Sequence, residues 1–205
     1  MRRDAVTGAY ALGMRLFEWG ESARGAHDPR EIAAPLLEWI VDEHGETVEL
    51  AAAESGDRLI VLDTRPGRHG ISKLTHVGEV EEWHSTSVGK ALLAAMPAEE
   101  SRPLVRRLRL RRFTEQTLTT VADLERELEA IRVRGYALDN EESERGLRCV
   151  GVPARDRNGD AVFALSVSGP RYRMTDETMP RIAATLRSAA AQLERAWGLD
   201  DQDSA

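Results

Sequence analysis

Lysine is nearly missing from this chain: of 28 basic residues only Lys73 and Lys90 are lysine, and arginine supplies the rest. Cysteine occurs once, as Cys149, which excludes an internal disulfide framework and points to a reducing compartment, the cytoplasm. Aromatic residues make up 5%, and no apolar run approaches the roughly 18 residues of a membrane span, so a soluble chain is expected. No charged-then-apolar leader marks it for export. An excess of positive charge is lacking too. The net charge of −7 argues against a stand-alone nucleic-acid binder, which works by neutralising phosphates with a basic surface. The one basic run, Arg106-Arg-Leu-Arg-Leu-Arg-Arg112, interleaves Leu108 and Leu110 and reads as a solvated face at the end of a short helix.

What is present suits one sizeable domain of mixed helix and strand, with 205 residues, 41% of them hydrophobic and 31% charged. Ile32, Leu36, Leu37, Ile40 and Val41 recur at helical spacing over Pro29 to His44, with Gly45 as a stop. Thr47 to Ala53 and Leu59 to Thr64 read as paired strands around a Gly-containing connection. Arg65 to Trp83 is expected to be loop with one short strand. Val88 to Met96 is a helix stopped by Pro97, Ala98 to Leu108 a second, and Thr119 or Thr120 caps a third with the stripe Val121, Leu124, Leu128, Ile131 before Gly135. Strands follow at Tyr136 to Asp139, Leu147 to Arg155 and Ala161 to Ser168. Thr175 is expected to cap a long last helix, and the acidic tail after it to fray.

Asn158-Gly159 is a strong hairpin signal. A two-residue turn there sets Cys149 opposite Ser168, Gly151 opposite Ser166 and Pro153 opposite Ala164, all on one face because side chains alternate. Val150, Val152, Phe163, Leu165 and Val167 then form a bulky apolar face on the other side. The small face leaves room for a ligand beside two hydroxyls and a thiol, or for a helix packed close. Asp139, at the end of the preceding strand, is a further polar candidate.

"STSVGKALLA", Ser85 to Ala94, places Gly-Lys before a helix but fails as a nucleotide phosphate loop. The positions that need Gly, and Ser or Thr, hold His84 and Ala91. What remains is a helix entrance whose N–H groups at Ser87, Val88 and Gly89 favour an anion, with Lys90 pointing away from it. Cys149 with His84 and Asp139 can be imagined as nucleophile, base and orienter, although a lone Cys among apolar strand residues is usually inert packing. The five histidines are scattered, so no metal is expected, and no cofactor motif is present.

The combination of "STSVGKALLA", "RGYALDNEESERGLRCVGVPARDRNGDAVFALSVSGP", "RMTD" and a long final helix resembles the effector-binding domain of the IclR family of bacterial transcriptional regulators. "TGAYALGMRLFEWG", from Thr7, looks like that family's wing end and linker helix; with six residues ahead of it, the DNA-binding winged helix-turn-helix is expected to be missing. The resemblance implies an α+β fold of GAF-like or profilin-like type, an antiparallel sheet of about six strands flanked by helices. It divides the chain into residues 1–26 as wing end and linker helix, 27–198 as the effector-binding domain and 199–205 as a disordered tail. It implies a non-enzymatic sensor, acting as homodimer or homotetramer, for a small, often carboxylate-bearing metabolite, reaching DNA only through the missing domain. Its effector-binding residues would be Thr86, Ser87, Val88, Asp139, Leu147, Cys149, Ser166 and Ser168. Gly78-Glu-Val-Glu-Glu-Trp-His84 departs from the family pattern, and Glu81 and Glu82 there would repel an acid unless Lys73 offsets them. Two rivals remain at this stage: an enzyme using Cys149, and a ligand-free dimerisation module whose interior is filled over Ser166 and Ser168.

Overall fold

The computed structural model describes residues 28–54, 58–156 and 158–199, together with Arg2, Arg3, Gly8, Tyr10, Ala11, Met14, Arg15 and Glu18. Leu12, Leu16, Phe17 and Trp19 of the expected linker helix, the connection at 55–57 and the tail at 200–205 lie outside those residues. Near the start, β1 (Arg2–Arg3) pairs antiparallel with β2 (Tyr10–Ala11).

Helix α1 (Pro29–His44) begins where Asp28 accepts a hydrogen bond from Arg30 N, and ends at Gly45, whose φ of 71° only glycine adopts freely. Strands β3 (Thr47–Glu54) and β4 (Arg58–Arg65) follow, then a long loop ending in the short β5 (Val80–Glu81). Next come α2 (Ser87–Ala95), α3 (Ala98–Arg107) and α4 (Val121–Arg134), the last capped by Thr120 and stopped by Gly135. Strands β6 (Ala137–Asn140), β7 (Leu147–Arg155) and β8 (Ala161–Pro170) lead to α5 (Met179–Leu199). Among the described residues no helix is long and apolar enough to cross a membrane.

Six strands form one antiparallel sheet in the order β5-β4-β3-β8-β7-β6. Alternation along the central strands assigns each face. Val48, Leu50, Val150, Val152, Leu165 and Val167 pack against α1 and α5. Ala51, Leu59 and Ala164 pack with Val88, Leu92, Leu124 and Leu128 on the α2 and α4 side. In the basic run, all five arginines are exposed and Leu108 and Leu110 half-buried, as a solvated face requires.

The β7–β8 pairing sets Cys149 opposite Ser168, Gly151 opposite Ser166 and Pro153 opposite Ala164, as expected, but through a different turn. Asp156 N–H donates to Asp160 O at 2.9 Å, and the Asp156 carboxylate accepts from the N–H groups of Asn158 and Asp160. A longer loop therefore replaces the two-residue turn, and Arg155 pairs with Ala161 one residue out of step. Val162 is the extra residue, a bulge that restores the register before Phe163. At the last helix, the Thr175 hydroxyl accepts from Thr178 N–H at 3.3 Å; it caps the turn leading in, and α5 itself starts only at Met179.

Candidate functional site

The small-residue face of the sheet lies under the start of α2. Gly151 explains the close approach: a Cβ there would sit 2.6 Å from Ser87 O and 3.0 Å from Ser87 Cβ. Part of this face thus serves to let a helix pack, one of the two readings the pattern left open. The rest is polar. Asp139, Cys149, Ser168 and Thr47 stand side by side across β6, β7, β8 and β3, and Ser166 and Glu49 form the next row.

Thr86 is the cap of α2, donating from Oγ1 to Glu82 O at 2.7 Å and accepting from Gly89 N–H at 3.2 Å. That bond corrects one expectation. Gly89 N–H is occupied, which leaves Ser87 and Val88 as the first-turn donors outside the helix ladder. Val88 contributes an apolar wall within the α2-side core, and Leu147 closes the outer end of the face, paired with Pro170.

Asp139 is heavily engaged. It accepts from the N–H groups of Glu142 at 2.7 Å and Ser143 at 3.3 Å, from the Ser143 hydroxyl, and from Cys149 Sγ at 3.8 Å. Burial pushes its carboxyl above the ordinary range, against the Ser143 hydrogen bond. Cys149 is 3% exposed, and burial, with the charge of Asp139, pushes its thiol well up. His84 makes its polar contacts elsewhere, with Arg111 and Glu82. Its Nε2 meets Arg111 O at 2.9 Å and its ring lies against Phe113, so it is no base for the thiol.

Three ion pairs, made by two lysines, flank the row. Lys73 Nζ reaches Glu49 Oε2 at 3.3 Å and Glu81 Oε1 at 3.1 Å. Burial would depress the Lys73 ammonium, but the Glu49 and Glu81 carboxylates hold it above its ordinary value. Burial and the neighbouring Glu49 charge push Glu81 up to about 7 despite Lys73, because one ammonium cannot fully neutralise two carboxylates. Lys90, expected to point away, is fully buried and bonds to Glu142. Burial raises Glu142 to about 7, Lys90 opposing and Asp139 adding. Glu82, by contrast, is half-buried between Arg111 and His84.

Glu49 and Glu142 were not singled out from the sequence. Glu49 carried the weak signal of a lone carboxylate inside the apolar strand "TVELAAA". Ser166 donates to Glu49 Oε1 at 2.9 Å, whereas Ser168 Oγ, lying against the Cys149 sulfur, has no oxygen or nitrogen partner. Both serines have no exposed surface, so the site is closed over. A surface cleft of about 490 Å³ between α3 and α4 contains none of these residues. Among the described residues no cluster of three or more metal-ligating side chains occurs.

The family described as "Bacterial transcriptional regulator IclR C-terminal" matches residues 23–195. The HTH-type transcriptional regulator BhcR of Paracoccus denitrificans is 36% identical over 190 residues, 93% of this chain and 68% of that protein. The Thermotoga maritima IclR crystal structure superposes with a TM-score of 0.83 at 35% identity, covering 96% of this chain and 78% of that one. An IclR homolog from Microbacterium hydrocarbonoxydans, solved as a complex with 4-hydroxybenzoate, gives a TM-score of 0.79 at 26% identity over 94% of this chain and 78% of its own.

Proposed function

The chain belongs to the IclR family of bacterial transcriptional regulators, as an effector-binding C-terminal domain, and from that premise we propose that a small carboxylate-bearing metabolite binds on the sheet face below the start of α2. Ser168 carries the reading: a hydroxyl with no exposed surface whose hydrogen-bond contact is the weakly accepting Cys149 sulfur is costly to bury unless a ligand supplies a better partner. Ser87 and Val88 N–H supply the helix-end donors that favour an anion. Thr86, Asp139 and Leu147 shape the space, and Cys149 and Ser166 line it. The ligand of the Microbacterium relative, 4-hydroxybenzoate, is an acid of the proposed kind.

In this reading residues 27–198 form the sensing unit and residues 1–26 the link to a DNA-binding domain. Occupancy shifts the arrangement of paired subunits to the extent that the effector binds one arrangement more tightly than the other. The fold works by binding in the cytoplasm, without a cofactor. Closure over the serines favours one rival, a ligand-free module, and the same experiment decides between them. Acetate, benzoate and 4-hydroxybenzoate are screened by thermal shift against the wild type and Ser168→Ala. An acid at 100 times its Kd adds about 2.7 kcal/mol of stability to the wild type, and the variant should gain markedly less. Equal stabilisation of both proteins by every hit would remove the pocket.

A further inference from the structure

Lys73 enters the site from the loop between β4 and β5, and that loop is fastened down. Thr47 Oγ1 donates to Lys73 O at 3.0 Å and accepts from Gly67 N–H at 3.2 Å. A Cβ on Gly67 would lie 2.8 Å from Gly45 O, so the loop backbone rests directly on the α1–β3 corner. Beneath it, one ammonium faces two buried carboxylates, Glu49 at 3.3 Å and Glu81 at 3.1 Å. An acid that binds beside this row adds a third carboxylate near Lys73, in a space that is largely buried and reaches solvent through the 16% exposed Lys73 side chain.

Resting on the pocket proposed above, we infer that the site takes up its acid together with one proton from solvent, which converts Glu81 to the neutral carboxylic acid as the effector's carboxylate joins Lys73. Glu49 is the better held of the two carboxylates, accepting from Ser166 and meeting Lys73 with both oxygens. Glu81 faces Lys73 and Glu49 and, from its own loop, Glu79. Beyond Lys73 stand Cys149 of β7 and Asp139 of β6, and further along the row Lys90 of α2 pairs with Glu142. Those outer groups have their own partners.

Glu81, pushed up to about 7 by burial, is already half protonated at neutral pH, so taking a full proton at pH 8 costs roughly tenfold in affinity. The sign follows. Below pH 7 Glu81 is protonated before binding and affinity is flat; above pH 7 affinity falls by close to tenfold per unit, roughly 20- to 30-fold between pH 6.5 and 8.5.

Calorimetry with benzoate and 4-hydroxybenzoate tests this, at pH 6.5 in phosphate and in PIPES and at pH 8.5 in Tris and in borate, each pair differing in ionisation enthalpy. The expected result at pH 8.5 is uptake of close to one proton per acid bound, and in Glu81→Gln a loss of both the uptake and the pH slope, with tighter binding than wild type at pH 8.5. The glutamine variant also cancels any contribution from ionisation of the probe. Binding that is equally tight at both pH values without proton uptake, or a slope that persists in Glu81→Gln, overturns the inference and leaves the pocket standing. Failure of the wild type to bind any of the acids at either pH overturns the pocket and the inference with it.

Discussion

Cys149 and the two lysines show how much depends on where a side chain is buried. A reactive thiol needs exposure and a lowered pKa; Cys149 has 3% exposure and a thiol pushed up by burial and by Asp139. Alkylation by iodoacetamide at pH 8 is therefore expected to run more than roughly tenfold slower in the native protein than in urea. A fast native reaction would revive the rival reading of Cys149 as a nucleophile. In a chain that otherwise uses arginine, both lysines sit in buried pairs, where a compact ammonium fits between carboxylates better than a planar guanidinium.

Helix α2 owes its position to three local features: the Thr86 cap, Gly89 beneath the Trp83 backbone, and Gly151 on the strand below. A Cβ on Gly89 would meet Trp83 O at 2.5 Å, and one on Gly151 would meet Ser87 O at 2.6 Å. The carbonyl is held by the helix and cannot turn aside. Gly151→Ala is accordingly expected to cost about 1–3 kcal/mol in urea unfolding and to weaken acid binding, because the first turn of α2 must lift from the sheet. Gly70→Ala, where an added Cβ meets nothing within 4 Å, should stay within about 0.5 kcal/mol of wild type. A Gly151→Ala protein of unchanged stability would mean that α2 is free to shift.

From Asp28 onward the described residues form one sheet with a core on each face, and β3 and β8 supply residues to both cores. Neither layer can open without exposing the other side of the same strands, so unfolding should be cooperative. Trp83 reports from the α2 side and Trp197, edge-on to Phe163, from the α5 side. Variants retaining only one of these, with the other three tryptophans replaced by Phe, are expected to share a urea midpoint once corrected for their own stabilities against circular dichroism. Fluorescence midpoints that separate from the circular dichroism would show the layers melting independently.

Alternation along β7 and β8 was legible in the chain because it is local: a period of two puts Cys149 with Gly151, and Ser166 with Ser168, whatever lies beyond. Facing pairs came out correctly although the turn is longer than two residues, since the bulge at Val162 offsets the change. Helix limits at Pro29, His44 and Gly135 were legible for the same reason, as caps act over a single turn, while the choice of Thr120 over Thr119 as the α4 cap came from the structure. Tertiary structure alone decided which charges share the site. Glu49 and Lys73 are 24 residues apart and Lys90 and Glu142 52, and the loops between them impose no spacing that a sequence could display. Lys90 shows the limit best: its helix was readable, but its partner belongs to the turn after β6, which reaches it only once the sheet has closed beneath α2.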